Sequence, residues 1–209
     1  MKILIADDHP IVREGLKLIL KKLADDMHIE EATNGNQALK LIEKCAYDFV
    51  ILDISLPGIS GLDILKSLRI QNNTTRILIL SIHPEEQFAL RALKSGAMGY
   101  ITKDRAGEEL LGAMRKILCG GKYVSPELAE YMASNLETGF ENFPHQALSE
   151  RQFQIMIFLA KGKTSREIAG ELFISEKTVG THRFRIMQKM GMKKIADLII
   201  YAINNKLID

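Results

Sequence analysis

Over the first 122 residues, short runs of consecutive apolar positions alternate with longer stretches in which apolar residues recur every three or four positions. The runs are Lys2 to Ala6, a weaker one at His28 to Ala32, Asp48 to Leu52, Arg76 to Leu80, and Gly99 to Ile101. Runs of this length separated by helical periodicity predict strands alternating with helices around a parallel sheet. Phe49, Val50, Ile51 and Leu52, like Ile77, Leu78, Ile79 and Leu80, are apolar on both faces, so helices must cover the sheet on either side. The expected class is α/β: a doubly wound (βα)5 parallel-sheet domain.

From Ala147 onward the pattern becomes one of consecutive short helices, predicted over about Glu150 to Lys161, Ser165 to Leu172, Glu176 to Met190, and Lys194 to Asn204. Ser149 with Gln152 and Thr164 with Glu167 have the spacing of capping boxes, Ser175 is a third N-cap, and Gly162 and Gly191 mark two breaks. Two short helices joined by Phe173-Ile174-Ser175 and followed by a longer basic one predict a helix-turn-helix in a small all-α domain, with Glu176 to Met190 as the reading helix. Between the two patterned regions, Gly120-Gly121, Gly139 and Pro144 interrupt the periodicity. Ser125-Pro126 caps a short helix over about Pro126 to Leu136, and the stretch 141–146 has no apolar face and reads as a hinge. The chain therefore divides into a domain over 1–122, a partly helical acidic linker over 123–146, and a helix-turn-helix domain over 147–209.

Charge sharpens this division. Residues 147–209 carry 11 basic against 6 acidic residues, 123–146 carry four glutamates and no basic residue, and 1–122 are nearly balanced. A basic small domain is suited to a polyanion. No apolar run approaches the roughly 18 residues of a membrane span, and the chain opens on a strand pattern rather than a cleavable leader, so a cytoplasmic protein without membrane contact is expected. Cys45 and Cys119 fall in predicted helices without metal-ligand spacing and read as two buried, reduced thiols.

In open α/β sheets, ligands bind beyond the carboxyl ends of the strands. The residues found there are Asp7 and Asp8 after the first strand, Asp53 at the end of the third, Ser81 at the end of the fourth, and Lys103 shortly after the fifth. Three converging carboxylates need a shared cation, and hard oxygen donors suit Mg²⁺. An aspartate so placed can attack a phosphoryl group while the lysine and a hydroxyl hold the transferring oxygens. Any one of these residues could simply terminate its strand, but five together form a pattern. Pro57, Gly58 and Gly61 supply the turn after Asp53.

The motifs "ILIADDHP", "DFVILDISLPGISGLDIL", "ILILS" and "GAMGYITKD" resemble the receiver domain of two-component response regulators across essentially all of 1–122. That resemblance implies Asp53 as phosphoacceptor, Mg²⁺ held by Asp7, Asp8, Asp53 and the backbone carbonyl of Ser55, and Ser81 and Lys103 on the phosphoryl oxygens. It also implies Tyr100 as an aromatic switch. His83 reads as a rim histidine. The segment "LSERQFQIMIFLAKGKTSREIAGELFISEKTVGTHRFRIMQKMGM" is similar to the LuxR-type DNA-binding domain, and the two halves together match the NarL/FixJ class of regulators.

On the reading helix, Val179, Ile186 and Met190 should face the core. Lys177, Thr178, Gly180, Thr181, Phe184, Arg185, Gln188 and Lys189 are the candidate DNA contacts, with Lys163 and Arg166 as nearby phosphate contacts. Gln152, Gly180 and Phe184 depart from the residues usual in that family. His182 should pack rather than ligate. The expected partners are double-stranded DNA bearing operator half-sites, a sensor histidine kinase, and a second copy in a homodimer on activation. Receiver surfaces, or Ile199, Ala202 and Ile203 of the last helix, are dimer candidates. The competing readings are a haloacid-type phosphatase, which expects an aspartate where Ser55 stands, a phosphorylation-independent DNA-binding protein, and a phosphate-relay or scaffold protein.

Overall fold

The computed structural model describes residues 1–23, 27–138, 143–205 and 207–208, in two compact units, Met1–Glu137 and Thr138–Asp209. The first unit alternates β1 (Lys2–Ala6), α1 (Pro10–Leu20), β2 (His28–Ala32), α2 (Gly35–Lys44), β3 (Phe49–Asp53), α3 (Gly61–Ile70), β4 (Ile77–Ser81), α4 (Glu85–Ser95), β5 (Gly99–Thr102) and α5 (Ala106–Leu118), followed by α6 (Pro126–Thr138). The five strands are parallel in the order β2-β1-β3-β4-β5. The chain steps outward from β1 to β2 and then crosses to β3 on the other side, so the strand order reverses between β1 and β3, where such sheets open a crevice. β3 and β4 are buried at every position, as their unbroken apolar sequence requires. One face of the sheet packs Ile3, Ile5, Phe49, Ile51, Leu78 and Leu80 against Leu16 and Leu20 of α1 and Leu110, Met114 and Ile117 of α5. β2 is half-exposed along most of its length, which is why its apolar signal is weak.

The first unit extends beyond position 122. Tyr123 N–H donates to the Met98 carbonyl at 2.8 Å. The fully buried Ser125 hydroxyl donates to the Glu85 carboxylate and accepts the Leu128 N–H at 3.1 Å, capping α6. Arg105 pairs with Glu127 at 3.2 Å. The segment read as the start of the linker is thus docked on α4 and β5.

The second unit holds a short 3-10 turn, Pro144–Ala147, then α7 (Glu150–Ala160), α8 (Ser165–Glu171), α9 (Glu176–Met190) and α10 (Ile195–Asn204). Both expected capping boxes form, and Ser175 accepts the Thr178 N–H at 3.1 Å. α9 packs on both α7 and α8, and α10 packs on α7.

Three expectations need revision, those for the cysteines, the hinge and Ala202. Cys119 is exposed and Cys45 half-buried, each in the residue just past a helix end, where the chain turns away from the core. Gly139 and the first two residues of the expected hinge lie outside the described residues. Pro144–Ala147 is an ordered turn, tied to α10 by His145 Nδ1 and the Tyr201 hydroxyl at 2.6 Å. Ala202 is fully buried within its own domain, leaving Ile200 and Ile203 as the large exposed apolar residues of α10.

Candidate functional site

The carboxyl ends of β1 and β3 bring the acidic residues together. Asp53, the last residue of β3, and Asp7, the first after β1, are each only 1% exposed. Lys103, the first residue after β5, places its ammonium 2.7 Å from Asp7 Oδ2 and 2.8 Å from Asp53 Oδ2, joining three strands through one cation. The loop after β3 is held by Gly58 in the left-handed region at φ 82°, and by Gly61, whose missing side chain lets α3 begin against the Asp53 backbone. Ser60 caps α3 by accepting the Asp63 N–H at 3.2 Å.

Burial raises the Asp53 carboxyl above the ordinary aspartate range, and the Asp7 charge pushes the same way, against the opposing pull of Lys103. Burial acts to lower the Lys103 ammonium, but the Asp53 and Asp7 carboxylates outweigh it and the net shift is upward. Carboxylate oxygens of Asp7, Asp8 and Asp53 and a ring nitrogen of His9 all lie within 4.8 Å of one another. Among the described residues, Asp7 Oδ2 and Asp8 Oδ1 are buried but receive no hydrogen bond of good geometry; Lys103 lies 2.7 Å from the first and the His9 ring 2.8 Å from the second. A cluster of hard oxygen donors with more negative charge than its lysine can balance fits a divalent cation.

Ser55 donates its N–H to Asp53 Oδ1 at 3.1 Å. Ser81 is fully buried at the end of β4, and its hydroxyl accepts the His83 N–H at 3.1 Å. Tyr100, also fully buried, donates its hydroxyl to the His83 carbonyl at 2.8 Å. The His83 backbone is therefore held from both sides. Its ring packs against Phe88 and sets Nε2 3.3 Å from the Ser55 hydroxyl. Sequence reading placed His83 on the rim, whereas the structure puts it in contact with the loop that carries Ser55. His9 and Arg13 were missed: His9 N–H donates to Asp7 Oδ1 at 2.8 Å, and Arg13 donates to the Asp7 carbonyl at 2.9 Å. The adjacency of His9 to the Asp-Asp pair was the only available signal for the first, and none marked the second.

In the helical unit, Val179 and Ile186 are fully buried and Met190 nearly so, while Lys177, Thr178, Gly180, Thr181, Phe184, Arg185 and Gln188 are all exposed. Two of the candidate cations are engaged elsewhere. Lys189, itself exposed, donates to the Ala147 carbonyl at 3.0 Å and to Gln152 Oε1 at 2.9 Å, so it latches α9 to the cap of α7. Lys163 pairs with Glu171 and lies over the Phe158 ring at 4.5 Å. Arg166 is exposed. His182 is half-buried, its Nδ1 has no partner among the described residues, and burial, together with the charges of Arg151 and Arg185, lowers its pKa. Arg151 itself donates to the Leu172 carbonyl at 2.6 Å, closing the end of α8.

Comparison with known proteins agrees with both halves. Residues 3–115 match the response regulator receiver domain, and residues 146–202 match the luxR family of bacterial regulatory proteins. The oxygen regulatory protein NreC of Staphylococcus carnosus is 37% identical over the full length of both chains. Response regulator UvrY of Escherichia coli K12 is 33% identical over 99% of this chain and 95% of its own. A LuxR-family two-component response regulator from Aurantimonas sp. SI85-9A1, 34% identical, superposes with a TM-score of 0.60 over 65% of this chain and 97% of its own. The chain belongs to the response regulators, joining a receiver domain to a LuxR-type DNA-binding domain. Within them it falls in the NarL/FixJ class of transcription regulators. Among the described residues, no helix is long and apolar enough to cross a membrane.

Proposed function

We propose that this regulator is switched by phosphorylation of Asp53, which a sensor histidine kinase or a small phosphodonor supplies, and that the switch controls binding of operator DNA in the cytoplasm. The observation that carries the reading is the Lys103 ammonium lying between the buried carboxylates of Asp7 and Asp53. A carboxylate oxygen of Asp53 attacks phosphorus, and the bond from phosphorus to the donor's leaving group breaks as the new acyl phosphate bond forms. Asp7, Asp8, Asp53 and the Ser55 carbonyl would hold Mg²⁺, which supplies positive charge to the transferring oxygens. Lys103 and the Ser81 hydroxyl hold those oxygens from the protein side.

The His83 backbone, bonded to both Ser81 and Tyr100, gives the switch a physical route: a Ser81 hydroxyl that turns toward phosphate gives up the His83 N–H, and the Tyr100 bond to the same residue must readjust. The receiver proper spans 1–122, and 123–146, whose first part docks on the receiver as α6, joins it to the DNA-binding domain. Phosphorylation changes interdomain contacts and favours a homodimer that places two copies of α9 on paired half-sites. Lys177, Thr178, Gly180, Thr181, Phe184, Arg185 and Gln188 face the major groove, and Arg166 approaches a phosphate.

The test is intact mass after exposure to acetyl phosphate, with and without Mg²⁺, on the wild type and Asp53→Ala. One Mg²⁺-dependent phosphoryl adduct confined to the wild type is expected. No adduct on folded wild-type protein would favour phosphorylation-independent DNA binding.

A further inference from the structure

The outward face of α9 is polar except at its centre. Lys177, Thr181, Phe184 and Gln188 follow one another at four-, three- and four-residue spacing, a single stripe away from the buried Val179 and Ile186. Within it Phe184 is 70% exposed, an unusual placement for a ring whose burial is among the larger apolar gains a side chain can make. Thr181 turns its hydroxyl back to donate to the Lys177 carbonyl at 3.1 Å, so its methyl is the group it offers outward. Gly180, one turn before Phe184, adds no side chain, and a Cβ built there meets nothing within 4 Å. The ring and the methyl thus form an apolar patch beside a notch over the helix backbone, bordered by Lys177, Arg185 and Gln188.

The charge around the patch decides what it meets. A protein partner would call for an apolar core depleted of charge, whereas Lys177 and Arg185 border this one and the domain carries a positive excess. In the major groove the bases present one apolar group, the C5 methyl of thymine. We propose that Phe184, with the Thr181 methyl and the space left by Gly180, is a specificity-determining residue that selects thymine at the base step facing the middle of α9. This deepens the reading of α9 as the groove-entering helix and depends on it.

The experiment starts from a randomised duplex library, selected with full-length protein treated with acetyl phosphate. Each thymine of the selected half-site is then replaced by deoxyuridine, which removes the methyl alone, and binding is followed by fluorescence anisotropy at one fixed salt concentration. The expected result is one position per half-site where the replacement weakens binding roughly fourfold, the scale of one methyl left unburied. At that position Phe184→Ala binds the thymine and uracil duplexes equally, and Phe184→Gln changes the preferred base there and nowhere else. The proposal is overturned if the wild type binds every uracil duplex as tightly as its thymine parent, or if Phe184→Ala keeps the difference. Failure to select any duplex would overturn the groove reading as well, and is a distinct result.

Discussion

Gly61 and Gly180 both lie in helices, and alanine at each should have opposite effects. At Gly61, the first residue of α3, an added Cβ would stand 2.3 Å from the Asp53 carbonyl oxygen and 3.0 Å from the Ile54 Cα. Both obstacles are backbone, so no rotamer change relieves the clash, and the Gly61 N–H bond to the Ile54 carbonyl at 2.9 Å holds the two segments together. Overpacking of this kind costs about 1–3 kcal/mol, more than the propensity gain of at most ~1 kcal/mol from Gly to Ala. At Gly180 the Cβ meets nothing within 4 Å, so only the propensity gain of roughly 0.5–1 kcal/mol remains. Native-state hydrogen exchange by mass spectrometry resolves the two units without assuming a single unfolding transition. Gly61→Ala should lower protection across β3 and α3 and slow acetyl phosphate labelling of Asp53, since the chain that must move carries that residue. Gly180→Ala should raise protection in α9 alone. A Gly61→Ala protein with unchanged protection and labelling, or a less protected α9 in Gly180→Ala, would refute the steric argument.

Lys103→Met removes the cation shared by two buried carboxylates, so in Mg²⁺-free buffer the first unit should lose about 3 kcal/mol in urea denaturation. Labelling of Asp53 by acetyl phosphate with Mg²⁺ restored should fall by about 10²–10³-fold. Ser125→Ala removes the cap on the Leu128 N–H and the donor to Glu85, and exchange along α6 should rise by the equivalent of ~1 kcal/mol while β1 and β3 are unaffected. The pKa of His182 is lower folded than its ordinary value of 6.5, so below about 6.5 the unfolded chain takes up a proton that the folded chain resists. The second unit should therefore be most stable above that pH and lose stability as pH falls through it. His182→Gln should flatten that slope in thermal melts at pH 5 to 8.

Much of this architecture is set by local pattern. Apolar runs buried on both faces can only be inner strands of a covered sheet, and β3 and β4 fall where Phe49–Asp53 and Ile77–Ser81 demand. Capping chemistry acts over three residues, so Ser149, Thr164 and Ser175 marked the helix starts of the second unit directly. The carboxyl-end rule for parallel sheets made Asp7, Asp53 and Lys103, which the structure joins by ion pairs, legible together before any distance was known. What long side chains do was not legible, because their partners are remote in sequence and chosen by packing. Lys189 and Arg185 look alike on a helical wheel and both are exposed, yet the fold brings the α7 cap within reach of the Lys189 ammonium. Arg13 at the Asp7 carbonyl and Glu85 beneath Ser125 are contacts of the same kind. The clamp on His83 depends on the ends of β4 and β5 meeting at its backbone while the loop after β3 meets its ring, which only the assembled sheet provides. Periodicity and capping are short-range and survive in the sequence. Which cation meets which carboxylate, and which aromatic is left uncovered, is decided by the tertiary structure, because those energies depend on distances that no local segment contains.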